Sequence, residues 1–224
     1  KAIKFLTPLA KSIIITFRNA QKFFPSFKTS YAPYPVRYTY IDQNIPQRAA
    51  ARILNLNPQK KTVVILGGSQ GSLFLNTIIK QWIEHHPSDA QACNIIHQTG
   101  SDNSIDWHDL YKRNNINAHV FSYSHNLAHI YRAADIIICR AGAGTLFEIE
   151  FFKKQCIVIP LRASTTNHQV DNAREITHDY PHLFTWLEQS VVENNPKLLF
   201  SLLNNVCAQK HTHVNTEIAP LIPS

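Results

Sequence analysis

The sequence predicts an α/β protein built on a Rossmann-like, doubly wound parallel sheet. Three observations carry that expectation. Apolar, β-branched runs of four or five residues recur from position 62 onward, and runs apolar throughout suit strands covered on both faces. Segments of helical periodicity separate them, and strands alternating with helices at this spacing read as parallel βαβ units. Two of the runs end in small-residue turns, Gly67-Gly68-Ser69-Gln70-Gly71 and Arg140-Ala141-Gly142-Ala143-Gly144-Thr145. In such a sheet, ligands sit beyond the carboxyl ends of the strands, where these turns fall.

Residues 1–37 read differently from the rest. Ile3, Phe5, Leu6 and Leu9 fit one side of a short helix, 12–17 reads as a buried strand, and 18–24 gives a helical turn or two stopped by Pro25. Tyr31-Ala32-Pro33-Tyr34-Pro35-Val36-Arg37 carries prolines at 33 and 35, so it is extended and stiff, a crossing between two lobes. Helix, strand and helix are too little to close a core alone. The segment is therefore expected to be the trailing edge of another domain, and because the sequence holds no Met, part of the protein is expected to lie upstream.

From residue 60 the rhythm is regular. Strands are expected at 62–66, 94–97, 118–121, 135–139 and 156–160, with a last one at 184–187. Helices are expected from the first glycine turn to about 83, then at 105–113, 127–133, through Glu148, at 168–177 and at 196–207. The implied division is 1–37, 38–208 and a loosely held tail, 209–224.

Three segments converge on the carboxyl edge of this sheet. The glycines at 67–71 permit a tight turn and bare the first N–H groups of the next helix to an anion, with Ser69 adding a hydroxyl; the same turn also serves simple strand–helix packing. Residues 140–148 repeat the arrangement, with small residues at 141–144, a hydroxyl at Thr145 and a carboxylate at Glu148. Glu148 reads either as an acid compensating the helix dipole or as an acceptor for two ribose hydroxyls. The third segment, Thr165-Thr166-Asn167-His168-Gln169-Val170-Asp171-Asn172-Ala173, is rich in side-chain donors and acceptors. It reads as a helix-capping loop or as a reader of sugar hydroxyls through Gln169 and Asn172. Two anion-binding turns facing one cleft suit a diphosphate without a metal.

Composition excludes several classes. The 224 residues carry 22 Lys+Arg against 15 Asp+Glu, a net charge of +7, but the basic residues are scattered, without the aromatic-studded basic stripe of a nucleic-acid binder. No apolar run reaches the roughly 18 residues of a membrane span. Cys93, Cys139, Cys156 and Cys207 stand far apart, so a reduced compartment is expected. His125 and His129 share a helix face at metal-ligand spacing but lack a third ligand, and read as solvated surface. No Asp-x-Asp pair is present to hold a catalytic metal. A nicotinamide dehydrogenase would want Gly-x-Gly-x-x-Gly and an acid closing the next strand, and the sequence offers neither.

The three segments, in this order and spacing, resemble the donor-binding half of the MurG family of bacterial N-acetylglucosaminyltransferases. The likeness runs from about Ser12 to Asn205 and takes in Pro35-Val36-Arg37, His97-Gln98-Thr99-Gly100, Cys139-Arg140-Ala141-Gly142-Ala143 with Thr145 and Glu148, and His168-Gln169 with Asn172-Ala173. The resemblance implies the C-terminal lobe of a GT-B glycosyltransferase, with 1–37 the last elements of the acceptor lobe and the link. It implies an inverting transfer of N-acetylglucosamine from UDP-N-acetylglucosamine to lipid-linked N-acetylmuramyl-pentapeptide, at the cytoplasmic face of the bacterial inner membrane, with no cofactor or metal. By family role Gly68, Ser69, Gln70 and Gly71 contact the donor phosphates and Arg37 approaches from the link. Ala143, Gly144 and Thr145 face phosphate and sugar, Glu148 holds the ribose, and His168, Gln169 and Asn172 address the sugar. The uracil position falls near Tyr123-Ser124. Pro33-Tyr34 replaces the family's usual Gly-Asn, and the general base belongs to the lobe not present, so the chain alone is expected to bind donor without turnover. A binding-only subunit needing a separate acceptor chain, or a UDP-sugar:diacylglycerol transferase, are the alternatives.

Overall fold

A strand apolar at every position must be covered on both sides, and this requirement organises the domain. The computed structural model describes residues 6–68, 70–101, 104–161 and 168–209. Six strands, β3 (Thr62–Leu66), β4 (Asn94–Gln98), β5 (Asn117–Phe121), β6 (Ile136–Cys139), β7 (Gln155–Val158) and β8 (Phe184–Trp186), form one sheet in the order β5-β4-β3-β6-β7-β8. Every pairing is parallel. Alternate side chains go to opposite faces, as the strand period of two requires. Val64, Leu66, Ile137, Cys139 and Val158 pack on one face against Tyr131, Leu146, Ile149 and Phe152. Val63, Ile65, Ile136, Ile138 and Ile157 pack on the other against Leu75, Trp82, Leu199 and Leu203.

The covering helices are α1 (Tyr40–Gln43), α2 (Gln47–Ile53), α3 (Leu73–His85), α4 (Pro87–Ala92), α5 (Trp107–Arg113), α6 (Ala128–Ala133), α7 (Ala143–Phe151), α8 (His168–Asp179), α9 (Gln189–Asn194) and α10 (Lys197–Ala208). The expected doubly wound α/β sheet is thus observed. Its order reverses at the β3/β6 pair: β4 and β5 lie to one side of β3, β6, β7 and β8 to the other. The four helices α1, α2, α4 and α9 were not predicted. Each spans only four to seven residues and buries two apolar side chains at most, too few to show a helical period.

Residues 13–31 correct one expectation. In place of a buried strand over 12–17, β1 (Ile13–Ile15) is three residues long and, among the described residues, pairs in parallel only with β2 (Thr29–Tyr31). With a single neighbour it is covered unevenly: Ile15 is buried, Ile13 half-buried and Ile14 64% exposed. The segment nevertheless seats on the large domain. Phe17 packs on Phe147 with ring centroids 5.0 Å apart, the backbone N–H groups of Arg18 and Asn19 donate to the Glu175 carboxylate, and Lys22 pairs with Asp171 at 2.7 Å. The helix expected through Ile3 and Phe5 begins outside the described residues; Leu6–Leu9 form a turn closed by Leu9 N–H donating to the Leu6 carbonyl. The tail 210–224 also lies outside them. Among the described residues no helix is long and apolar enough to cross a membrane.

His97 on β4 is fully buried. Asn76 on α3 donates its amide to the Thr99 carbonyl (3.1 Å), which leaves its oxygen to accept from His97 Nε2 (3.1 Å). The other ring nitrogen, Nδ1, then accepts from the Tyr111 hydroxyl at 2.8 Å. This order of donors requires the neutral Nε2–H tautomer, and burial holds the ring's pKa down at about 3 against the usual 6.5. The unfolded chain therefore takes up a proton that the native state refuses as pH falls from about 6.5 toward 3, and stability falls with it. Denaturant melts of the wild-type chain and of H97Q test this. The wild-type advantage is expected to shrink by on the order of 3 kcal/mol between about pH 7 and about pH 4. An advantage that is constant across that interval contradicts the assignment.

Candidate donor-binding cleft

The β3/β6 pairing sets two strand-to-helix turns side by side at the carboxyl edge of the sheet, the switch point at which open α/β sheets bind ligands. After β3 the chain passes through Gly67, Gly68 at φ +85° and Gly71 at φ +77° before Ser72 caps α3, its hydroxyl accepting from Leu75 N–H at 3.3 Å. Backbone presses on this turn from a second loop. A Cβ on Gly71 would lie 2.6 Å from the Thr99 carbonyl oxygen, and one on Gly100 would lie 2.4 Å from the Gly71 Cα. The His97–Asn76–Thr99 chain of bonds thus fixes the loop on which the first turn rests.

The second turn is held from α8. Gln169 Oε1 accepts from the N–H groups of Ala141 (3.2 Å) and Leu161 (2.9 Å), and Asn172 Nδ2 donates to the Ala141 carbonyl (3.2 Å). With its oxygen so engaged, Gln169 lines the cleft with an NH2 that finds no acceptor among the described residues. Gly142 precedes α7 without a capping side chain, and the first helical bond is Leu146 N–H to the Gly142 carbonyl. The N–H groups of Ala143, Gly144 and Thr145 therefore find no acceptor among the described residues, a ready anion site. Arg140 lies beneath both turns, 8% exposed, with Nε donating to Ser72 Oγ (2.9 Å) and Nη1 to the Ile159 carbonyl (3.1 Å) and Gln189 Oε1 (2.9 Å). Burial lowers its pKa to about 10, so it stays cationic at neutral pH, and among the described residues no carboxylate pairs with it.

At the other end lies Glu148, on the second turn of α7 and 7% exposed. Tyr131 donates its hydroxyl to Glu148 Oε2 at 2.8 Å. Burial, then the neighbouring carboxylate, push the phenol's pKa well above its usual value, so it remains a donor. Glu148 Oε1 faces Arg37 Nε at 3.5 Å, and Arg37 Nη1 donates to the His125 carbonyl at 3.0 Å. One carboxylate oxygen is thus fixed from within the core while the other faces the cleft.

These groups line one open cleft of about 820 Å³, within the range of small-molecule sites. Of the predicted residues, Arg37, Gly68, Gln70, Gly71, Ser124, Ala143, Gly144, Thr145, Glu148 and Gln169 line it. Asn172 does not; its amide supports Ala141 instead. His168 does not either; it is exposed and meets Phe23 edge-on at 5.2 Å. Ser124 contributes position more than its hydroxyl, which donates to the Asn126 carbonyl at 2.8 Å. Ser69 and Thr165-Thr166-Asn167 lie outside the described residues. His125 precedes α6 and shares no helix face with His129. Sequence reading missed Tyr34, Phe74 and Gln189 as cleft walls and Tyr131 as the support of Glu148, because each reaches the site through the fold and not through a local motif.

The sequence model of the glycosyltransferase family 28 C-terminal domain matches residues 62–215, which span both turns, Glu148 and α8. The chain belongs to this family. Among its relatives is the UDP-N-acetylglucosamine–N-acetylmuramyl-(pentapeptide) pyrophosphoryl-undecaprenol N-acetylglucosamine transferase of Flavobacterium psychrophilum, 30% identical over 213 residues that cover 95% of this chain and 56% of that protein. The transferase of the same name from Campylobacter jejuni subsp. doylei is 37% identical over 155 residues, 69% of this chain and 42% of that protein. The family 28 chain thus spans about half the length of the relatives it matches. In fold it is similar to the crystal structure of Acinetobacter baumannii MurG, with a TM-score of 0.57 at 24% identity, covering 91% of this chain and 55% of that one.

The glycine geometry of the family 28 domain separates two substitutions. Gly100→Ala drives a Cβ into Gly71 at a positive-φ position, and is expected to lower stability by about 2 kcal/mol or more in denaturant melts. At Gly142 a Cβ meets nothing closer than Thr145 Oγ1 at 3.9 Å, so Gly142→Ala is expected to stay within about 0.5 kcal/mol of wild type. Equal losses would contradict the packing described.

Proposed function

We propose that this chain is the donor-binding half of an inverting hexosyltransferase that moves N-acetylglucosamine from UDP-N-acetylglucosamine to lipid-linked N-acetylmuramyl-pentapeptide. One observation carries the reading: the uncapped start of α7 and the glycine turn before α3 open on the same cleft as a carboxylate held by Tyr131, the complement of a diphosphate joined to a diol-bearing ribose. The names of the relatives support the choice of sugar and acceptor.

In this reading the diphosphate lies across the turns at 67–72 and 140–145. The N–H groups of Ala143, Gly144 and Thr145 donate to its oxygens, and Arg140 supplies positive potential from below. Glu148 Oε1 accepts from the ribose hydroxyls while Tyr131 prevents the carboxylate from turning away. The NH2 of Gln169 donates to an oxygen of the sugar. As the acceptor hydroxyl attacks the anomeric carbon and the bond to the diphosphate breaks, negative charge builds on the departing UDP. Donors already aimed at those oxygens stabilise that charge more than the ground state, which is how the cleft would accelerate transfer. The acceptor and the base that takes its proton belong to the half of the protein not contained in these 224 residues, and the complete enzyme works peripherally at the cytoplasmic face of the inner membrane.

Calorimetric titration of the 224-residue chain tests the reading. UDP-N-acetylglucosamine is expected to bind, more tightly than UDP-glucose or UDP-galactose, without transfer to a lipid acceptor. Glu148→Gln removes one charged acceptor and is expected to weaken UDP about 10- to 100-fold, since bonds to charged groups contribute roughly 1.5–3 kcal/mol. It should also erase the preference for UDP over its 2′-deoxy analogue. Unchanged UDP affinity in E148Q would remove the ribose assignment, and turnover by the wild-type chain alone would overturn the division of labour.

A further inference from the structure

Tyr34 stands between Pro33 and Pro35, so its backbone is biased to an extended conformation before any side-chain contact forms. Its ring lies flat on Phe147, centroids 5.7 Å apart and planes 3° from parallel, and Phe147 in turn packs on Phe17. This stack sets the phenol edge directly over Gly144. A Cβ built on Gly144 would lie 3.3 Å from Tyr34 Oη, 3.6 Å from Cζ and 3.9 Å from Cε1. Gly144 is not among the glycines with positive φ, so its backbone does not demand glycine; what the missing side chain leaves room for is the phenol. The hydroxyl makes no hydrogen bond to another described residue, lines the cleft, and stands beside the unsatisfied N–H groups at the start of α7.

We propose that Tyr34 is a donor-recognition residue, its hydroxyl donating to an oxygen of the diphosphate seated at the start of α7. The inference rests on the reading of the cleft as a nucleoside-diphosphate site and adds to it a residue contributed by the interlobe segment. It assigns the Pro-Tyr-Pro sequence a function: the prolines and Phe147 preorganise the phenol, so little conformational entropy is lost when the anion arrives. It also couples two positions distant in sequence, since the hydroxyl at 34 can stand there because 144 has no side chain.

The test is calorimetric titration of the wild-type chain and Y34F with uridine, UDP and UDP-N-acetylglucosamine, alongside thermal melts of the free proteins. Y34F keeps the ring stack and removes one oxygen atom. Expected are a loss of about 10-fold in affinity for both UDP and UDP-N-acetylglucosamine, equal uridine affinities, and melting temperatures within about 1 °C of each other. Gly144→Ala is expected to weaken UDP more in the wild-type background than in Y34F, because the nearest contact is with the hydroxyl. Equal UDP affinities for wild type and Y34F would overturn the proposal while leaving the diphosphate cleft standing. A loss confined to UDP-N-acetylglucosamine would place the hydroxyl on the sugar and overturn it too. Failure of the wild-type chain to bind UDP at all would instead defeat the reading of the cleft.

Discussion

Parallel pairing of β3 with β6 is the constraint from which the cleft follows. Leu66 and Cys139 are register partners, so the turns that leave these strands emerge at the same height on the same edge. Because the sheet order reverses there, the helices that follow the two strands pack on opposite faces, Leu75 of α3 in one core cluster and Leu146 of α7 in the other. Their N-termini are left facing each other across a gap that neither helix can fill. A backbone arrangement chosen for burying Val and Ile thereby sets the uncapped start of α7 and the glycine turn before α3 on one cleft. In the proposed reading, function is the solution to a polar deficit that the fold itself produces.

What distinguishes this edge from an ordinary crevice is the number of buried polar groups that fix its shape. His97, Asn76 and Tyr111 form a neutral relay under Thr99; Gln169 and Asn172 clamp Ala141 from both sides; Arg140 bonds to Ser72 on one turn and to the Ile159 carbonyl and Gln189 beyond the other. Each such network is useful only when satisfied, because an unpaired buried donor costs roughly 1–3 kcal/mol. Satisfied, they make both turns resistant to rearrangement, so an anion seated there would meet donors that need no reorganisation. The same logic holds at the acid end. Tyr131 orients Glu148 from the core, and Tyr38 meets Tyr131 edge-on at 6.0 Å while accepting from Leu127 N–H at 3.0 Å.

The sheet was legible because its signal is local and strong: runs such as Val63-Val64-Ile65-Leu66 and Ile136-Ile137-Ile138-Cys139 admit little else, and their expected bounds differ from the observed ones by a residue or two. The glycine turns were legible for the same reason. The helices α1, α2, α4 and α9 were not, since a stretch such as Gln47–Ile53 buries only Ala50 and Ala51, whereas the equally short α5 sets Trp107, Leu110 and Tyr111 at helical spacing; β1 looked buried because Ile13-Ile14-Ile15 is apolar whether or not a neighbouring strand covers it. Side-chain placement was not legible where it depends on distant partners. Asn172 and Gln169 sit three residues apart on one helix, and their spacing suggested a shared target. The structure shows a division: Gln169 lines the cleft and Asn172 braces the turn behind it. Tyr131, 17 residues before Glu148, and Tyr34, 110 residues before Gly144 in sequence, carry no local mark of their contacts. Tyr34 registered only as part of a stiff link and as a departure from the family pattern, yet it lines the cleft.

A crystal structure of the chain with UDP bound bears most directly on the central claim, that an anion bridges the two helix starts. The account predicts phosphate oxygens within about 3 Å of backbone nitrogens at both the 67–72 and 143–145 turns, with the ribose hydroxyls on Glu148 Oε1. A nucleotide lying elsewhere on the chain, or a diphosphate touching only side chains and neither helix start, would contradict it.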